Sequence, residues 1–145
     1  MQTQIRDHSF EPYAEVQAYQ DQMNLAGQYG ATAVFVGTMR DFNEGDRVKG
    51  MSLEHYPGMT ENYLGKICKQ AQQQWSILEG LIIHRTGEVK PDDPIVVVAI
   101  WSAHRKDAFE ASRFLMEELK SRAPFWKKEF LDEGHRWVSQ NTSGY

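Results

Sequence analysis

A handful of cationic side chains stand where this sequence changes from one kind of segment to another. Arg40 follows the β-branched run ATAVFVGTM, residues 31–39. His104 and Arg105 come just after a long apolar run and open a helix-like segment, where free backbone N–H groups already favour an anion. Lys120 lies near the end of that segment, where a cation meets the helix dipole favourably. Lys127 and Lys128 follow Pro124-Phe125-Trp126, an apolar cluster that must pack on something. A lysine beside such a surface is desolvated, and neighbouring cations lower its pKa further. Together these groups suit a small anionic ligand, and no single one of them is decisive. Each also has a plain structural reading, as a solvated strand-end arginine, a helix-start histidine or a helix-end lysine.

Other chemistries find less support. The single cysteine, Cys68, falls on the apolar stripe of a helical segment, where a free thiol is ordinarily inert packing. The five histidines, His8, His55, His84, His104 and His135, stand far apart, without zinc-ligand spacing. There is no G-x-G-x-x-G and no phosphate-binding P-loop. We expect no metal and no cofactor.

Charge distribution agrees with a small anionic ligand. The net charge is −4, yet residues 104–128 carry a net +3 while residues 1–30 carry −3. A local cationic patch on an acidic chain suits a small anion better than nucleic acid. The longest apolar run, Ile95 to Trp101, has strand length and falls well short of the ~20 residues of a membrane helix. One cysteine excludes an internal disulfide and suits a reducing compartment, so we expect a cytoplasmic protein bound to neither membrane nor nucleic acid.

Positioning these groups falls to a mixture of strands and helices within one expected domain, residues 1–145. Residues 3–9 read as a short edge strand and 12–25 as a helix, with Pro12 in its first turn and Gly27 past its end. Ala31 to Met39 reads as a strand, Phe42 to Asp46 as a turn, and Val48 to His55 as a second strand. After the Tyr56-Pro57-Gly58 break comes a helix from Thr60, its N-cap, to Trp75, with Tyr63, Leu64, Ile67, Cys68 and Ala71 along one stripe. Leu78–His84 and Ile95–Ser102 read as strands, separated by a turn around Gly87. A long helix then runs from His104 to Arg122 and stops before Pro124. Phe125 to Val138 reads as short extended pieces around Gly134. This order mixes hairpins with helical crossovers, which is α+β with a mixed or antiparallel sheet and flanking helices.

The strings GATAVFVGTMRDFNEGDRV (30–48), LEHYPGMT (53–60), IIHRTGEVKPDD (82–93), SAHRKDAFEA (102–111) and LKSRAPFWKKE (119–129) resemble, in order, the large catalytic subunits of molybdopterin synthase. The resemblance spans roughly residues 30–138. Met39 stands where the family more often has valine.

That resemblance implies an α/β-hammerhead fold and a sulfurtransferase in molybdenum cofactor biosynthesis. Two sulfurs would pass from the C-terminal Gly-Gly thiocarboxylate of a small ubiquitin-like subunit to cyclic pyranopterin monophosphate, giving the molybdopterin dithiolene. Carried over by position, Thr38, Met39 and Arg40 form a substrate-binding loop, and His104 and Arg105 hold phosphate. Lys120 and Lys127 are the catalytic lysines, with Lys128 and Glu129 completing the pocket wall. A straight helix separates His104 from Lys120 by ~24 Å, so one small ligand meets both only if they come from different chains. We therefore expect a homodimer with shared sites inside a heterotetramer. The alternatives are a non-catalytic module that binds a ubiquitin-like tail or acidic peptide, and a phosphate-ester hydrolase using His104, which lacks a visible metal or partner nucleophile.

Overall fold

The computed structural model describes residues 1–43, 45–131 and 134–138. Its longest apolar run forms the middle of the molecule. Strand β7 (Pro94–Ser102) is buried from Ile95 onward, because helices cover both of its faces. Even-numbered side chains Val96, Val98 and Ile100 join the core under helices α2 (Met59–Gln74) and α3 (Arg105–Ser121). Odd-numbered Val97, Ala99 and Trp101 meet helix α1 (Pro12–Asp21), where Trp101 donates its indole N–H to Gln20 at 3.0 Å. Period-two alternation thus splits one strand between two cores.

The first sheet has the order β1-β5-β7-β2, formed by Gln2–Arg6, Ile77–Arg85, Pro94–Ser102 and Ala31–Thr38. β1 runs parallel to β5, and the other pairs are antiparallel. A second, antiparallel sheet contains β3 (Phe42–Asn43), β4 (Asp46–His55), β8 (Phe125–Leu131) and β9 (Gly134–Trp137), with β6 (Gly87–Val89) also paired to β4. Met51 and Leu53 of β4 face the core shared with α2 and α3. The α+β class is as expected.

Several boundaries differ from the sequence reading. α1 ends at Asp21 rather than residue 25, because the chain turns through Asn24 and the positive-φ Gly27. Thr60 is not the N-cap of α2. Gly58 holds that place at φ 86°, its N–H donating to the Glu61 carboxylate. Thr60 is fully buried instead, and its hydroxyl bonds the Tyr56 carbonyl at 3.0 Å. Gly87 begins strand β6 rather than occupying a plain turn, since β4 offers its edge to residues 87–89. The expected turn at 42–46 tightens into a ladder pairing Phe42 with Arg47 and Asn43 with Asp46, and Glu44 lies outside the described residues. The tail forms a hairpin, β8 and β9, with Asp132 and Glu133 outside the described residues.

Strand register decides what shares an end of the molecule. Thr38 pairs with Pro94, and His84 with Val96, so the ends of β2 and β5 meet the start of β7. Ala31 and Ile77 both pair with Ser102 at the opposite end. α3 begins beside that opposite end and runs unbroken for 17 residues back to the first.

Candidate active site

Four elements meet at the C-terminal end of α3. Lys120 is in its last turn, Phe125 and Lys127 project from β8, His84 is the penultimate residue of β5, and Ile95 and Val96 follow Pro94 at the start of β7. These residues, with Met116, Leu119, Ser121, Ala123 and Val138, line a cavity of about 200 Å³. The shape follows from local chemistry: Pro124 ends the helical run, and β8 pairs with β4 through Phe125↔His55 and Lys127↔Leu53. That register turns Phe125, Lys127 and Glu129 toward the core face of the second sheet.

Burial sets the electrostatics. Desolvation holds the Lys120 pKa below its ordinary value, helped by the positive charge of Arg40. Lys127 is pushed down to about 7, first by burial and then by the adjacent Lys120 charge, with Glu129 acting weakly in the other direction. The two amines also hydrogen-bond each other, which favours charge on Lys120 and disfavours it on Lys127. Near neutral pH the pair is therefore one ammonium beside one amine that titrates. Such an arrangement can neutralise a developing anion and accept or return a proton.

Not all the expected residues gather there. Arg40 is exposed but close enough to shift Lys120, and its loop is tied down by Met39 N–H donating to the Asp93 carbonyl at 2.9 Å. Met39 itself is buried in the core, leaving Thr38 exposed at the strand end. Glu129 is buried on the Lys127 face of β8 and accepts from Asn43 at 2.9 Å and Arg136 at 3.0 Å. Lys128 points to the other face, where its ammonium lies 5.6 Å from the Trp137 ring centre. His104 is the N-cap of α3 and Arg105 its first residue, both exposed and at the far end of the helix from Lys120. One chain brings together Arg40, Lys120, Lys127 and Glu129, and leaves His104 and Arg105 ~24 Å away.

The sequence reading missed His84. Its ring stacks on Phe125 at 3.8 Å and 14°, with Nδ1 2.7 Å from the Arg85 carbonyl oxygen. Burial drives its pKa down to about 3, assisted by the charges of Lys120 and Lys127, so the ring is neutral. The available signal was a polar ring closing an otherwise apolar strand, LIIH at 81–84. Among the described residues no group of three or more His, Cys, Asp or Glu could hold a metal ion, and no helix is long and apolar enough to cross a membrane.

The structure is thus an α+β protein with a partly buried amine pair in a small cavity and a second cationic pair at the far end of one helix. The family model described as MoaE protein matches residues 9–122. The molybdopterin synthase catalytic subunit of Pseudomonas aeruginosa is 50% identical over 143 residues, covering 99% of this chain and 93% of its own. The molybdopterin biosynthesis MoaE protein of Burkholderia ambifaria superposes with a TM-score of 0.79 at 44% identity, covering 97% of this chain and 90% of its own. Molybdopterin synthase from Staphylococcus aureus gives a TM-score of 0.83 at 29% identity, with coverages of 94% and 96%. The chain belongs to the MoaE family, the catalytic subunits of molybdopterin synthase.

Proposed function

We propose that this chain transfers two sulfurs from the C-terminal thiocarboxylate of a small ubiquitin-like subunit to cyclic pyranopterin monophosphate, forming the molybdopterin dithiolene in the cytoplasm. The observation that carries this reading is the Lys120–Lys127 pair in its narrow cavity. Sulfur transfer from an acyl donor develops negative charge and exchanges protons, and an ammonium beside a titrating amine meets both needs. Lys120 acts as the electrostatic partner and Lys127 as the group that carries the proton, in line with their opposite preferences for charge.

Cavity size divides the work between two ligands. At about 200 Å³ it is smaller than the ~300–1,000 Å³ of pockets that enclose a whole small molecule. It suits the narrow end of a Gly-Gly tail, while the pterin phosphate lies across its mouth near Thr38 and Arg40. The buried Cys68 leaves the nucleophilic sulfur to the other chain.

Phosphate then needs more cation than one chain gathers. His104 and Arg105 supply it from a second copy, which makes the sites of a homodimer shared and the working assembly a heterotetramer. Support comes from β2, an edge strand whose Val34 and Phe35 are both 41% exposed, beside an α3 with no break in 17 residues. The direct test is incubation with thiocarboxylated small subunit and the cyclic pterin substrate, followed by assay for dithiolene. Formation of product is expected. A folded, partner-bound chain that yields none overturns the reading in favour of a non-catalytic module for the ubiquitin-like tail.

A further inference from the structure

The loop that carries Arg40 leads straight into a hairpin, β3 and β4, which a closed set of polar contacts ties to the lysine-bearing strand. Arg136 of β9 pairs directly across from Glu129 of β8, two residues beyond Lys127. Its guanidinium meets a different acceptor with each nitrogen. Nε donates to Glu129 Oε1 at 3.0 Å, Nη1 to Asp46 Oδ2 at 2.7 Å, and Nη2 to the Asn43 carbonyl at 2.8 Å. The Asn43 side-chain amide completes the circuit by donating to Glu129 Oε2 at 2.9 Å. Both oxygens of the buried Glu129 carboxylate are thereby engaged. Asn43 and Asp46 pair across the β3–β4 turn, so both strands of that hairpin are held. On the other side of Arg40, Met39 N–H donates to the Asp93 carbonyl and Asp92 N–H to the Met39 carbonyl, each at 2.9 Å. Val48 N–H closes the loop onto the Asp41 carbonyl at 2.7 Å. The backbone at Arg40 thus runs between two anchors, Asp92-Asp93 on one side and Arg136 on the other.

We propose that Arg136 is a positioning residue for substrate binding, its guanidinium clamping the Phe42–Arg47 hairpin to β8 and so holding Arg40 at the mouth of the lysine cavity. The proposal rests on the reading of this cavity as the active site and deepens it. A planar fork suits the task, because acceptors on β3, β4 and β8 must be met at once. β9 is itself fixed beside the cavity. Val138 N–H donates to the Lys127 carbonyl at 2.9 Å, and Val138 lines the wall. The clamp therefore links two parts that substrate has to meet together, the arginine of the loop and the lysines of the cavity. A loop released from it takes other positions, and binding weakens by the fraction of time spent away. The lysines stand on α3 and β8, outside the hairpin, so substrate that does bind still turns over.

Variants on both sides of the clamp separate this role from simple packing. Arg136→Gln removes the fork but leaves the buried Glu129 carboxylate without its cation, which threatens the fold. Asn43→Ala/Asp46→Ala keeps the Arg136–Glu129 pair and loosens the hairpin alone. With the thiocarboxylated small subunit present, both variants are expected to raise KM for the cyclic pterin about fivefold or more. The hairpin variant should keep kcat within about twofold. Added to Arg40→Ala, the hairpin substitutions should raise KM no further, because the loop acts on substrate through the arginine it carries. A merely structural role lowers Tm and kcat instead, and its effect adds to that of Arg40→Ala. That result, or a wild-type KM in the hairpin variant, overturns the proposal. Hydrogen exchange reads the clamp without substrate. The Val48 amide should exchange about tenfold or more faster in the hairpin variant, with the amides of β7 unchanged. An unchanged Val48 rate overturns the clamp. If the wild-type protein forms no dithiolene while this acceleration is seen, the functional reading fails and the clamp on the Arg40 loop stands.

Discussion

At one end of α3, His104 and Arg105 stand in solvent, where the first backbone N–H groups of the helix have no intrahelical partner. At the other end Lys120 is packed against Lys127 in a narrow cavity, and both lysines are held below their ordinary pKa. The exposed end stands in water, beside the free N–H groups of the helix, and suits recognition of an anion that arrives from solvent. The enclosed end gives up charge and suits proton movement. One helix thus presents two cationic sites with different physical characters, and burial, more than residue type, is what distinguishes them. The comparison breaks most visibly if the enclosed end is altered.

Lys120→Ala is expected to lower turnover by about 10²–10⁴-fold, the range of a lost acid–base or electrostatic group. Its fold and partner complex should survive, since the desolvated Lys120 ammonium is a cost to the folded chain rather than a support. Dithiolene assay with circular dichroism checks both, and normal turnover by a folded variant removes Lys120 from the mechanism. The same variant tests whether the two ends of α3 serve one site. Mixed with His104→Ala/Arg105→Ala protein and allowed to exchange, it should recover about a quarter of wild-type activity, because half the dimers are mixed and each has one intact site. Exchange confirmed by mass with no recovered activity sinks the shared-site arrangement.

The exposed end is expected to respond less. Arg105→Ala should raise KM for the pterin substrate by about tenfold or more, and Arg105→Lys should not restore it, because an ammonium cannot reproduce the planar two-pronged contact with phosphate. A lysine variant with wild-type KM would show that Arg105 acts as a point charge.

A stability measurement sharpens the contrast without any substrate. Lys127 has a folded pKa of about 7 against an unfolded value near 10.5. Between those values the unfolded chain binds more protons, so wild-type stability rises with pH there. Below about 7 the cost of burying the charge is fully present. Lys127→Met should therefore melt above wild type at acidic and neutral pH, with the gap closing as pH rises from about 7 toward 10.5. A gap independent of pH would mean that Lys127 is not desolvated as described. At the exposed end, Lys106→Met should show no such pH-dependent gap, since the Lys106–Glu110 pair lies in solvent.

How much of this was legible depended on whether local pattern or distant pairing decides each feature. β7 and α3 could be read because an uninterrupted β-branched run and a repeating apolar stripe carry their own signal, and the separation of His104 from Lys120 followed at once. β6 could not, since residues 87–89 become a strand only when β4 presents an edge to them. In FWKKEFL two lysines are adjacent, so nothing local says which faces inward. The β4–β8 register sends Lys127 to the core face and Lys128 out to Trp137. His84 was hidden for the same reason: a histidine at the end of an apolar strand gains meaning only once α3 and β8 bring lysines against it.

The smallest effect is expected at Cys68, and it tests the division of labour between chains. Cys68 is buried at 5% exposure on the stripe of α2 with Leu64, Ile67 and Ala71, inside the main core. Burial pushes its thiol up to about 11. At pH 7 only about 10⁻⁴ of it is thiolate, the form that attacks or carries sulfur. Cys68→Ser replaces a small apolar group by a hydroxyl that can bond back to the helix carbonyl one turn earlier, so the cost should be about 1 kcal/mol, or roughly 2–4 °C in Tm. Turnover with thiocarboxylated partner should stay at the wild-type level. A variant that melts within that range yet forms no dithiolene would place a sulfur-carrying step on this chain, and the assignment of the nucleophile to the small subunit would have to be abandoned.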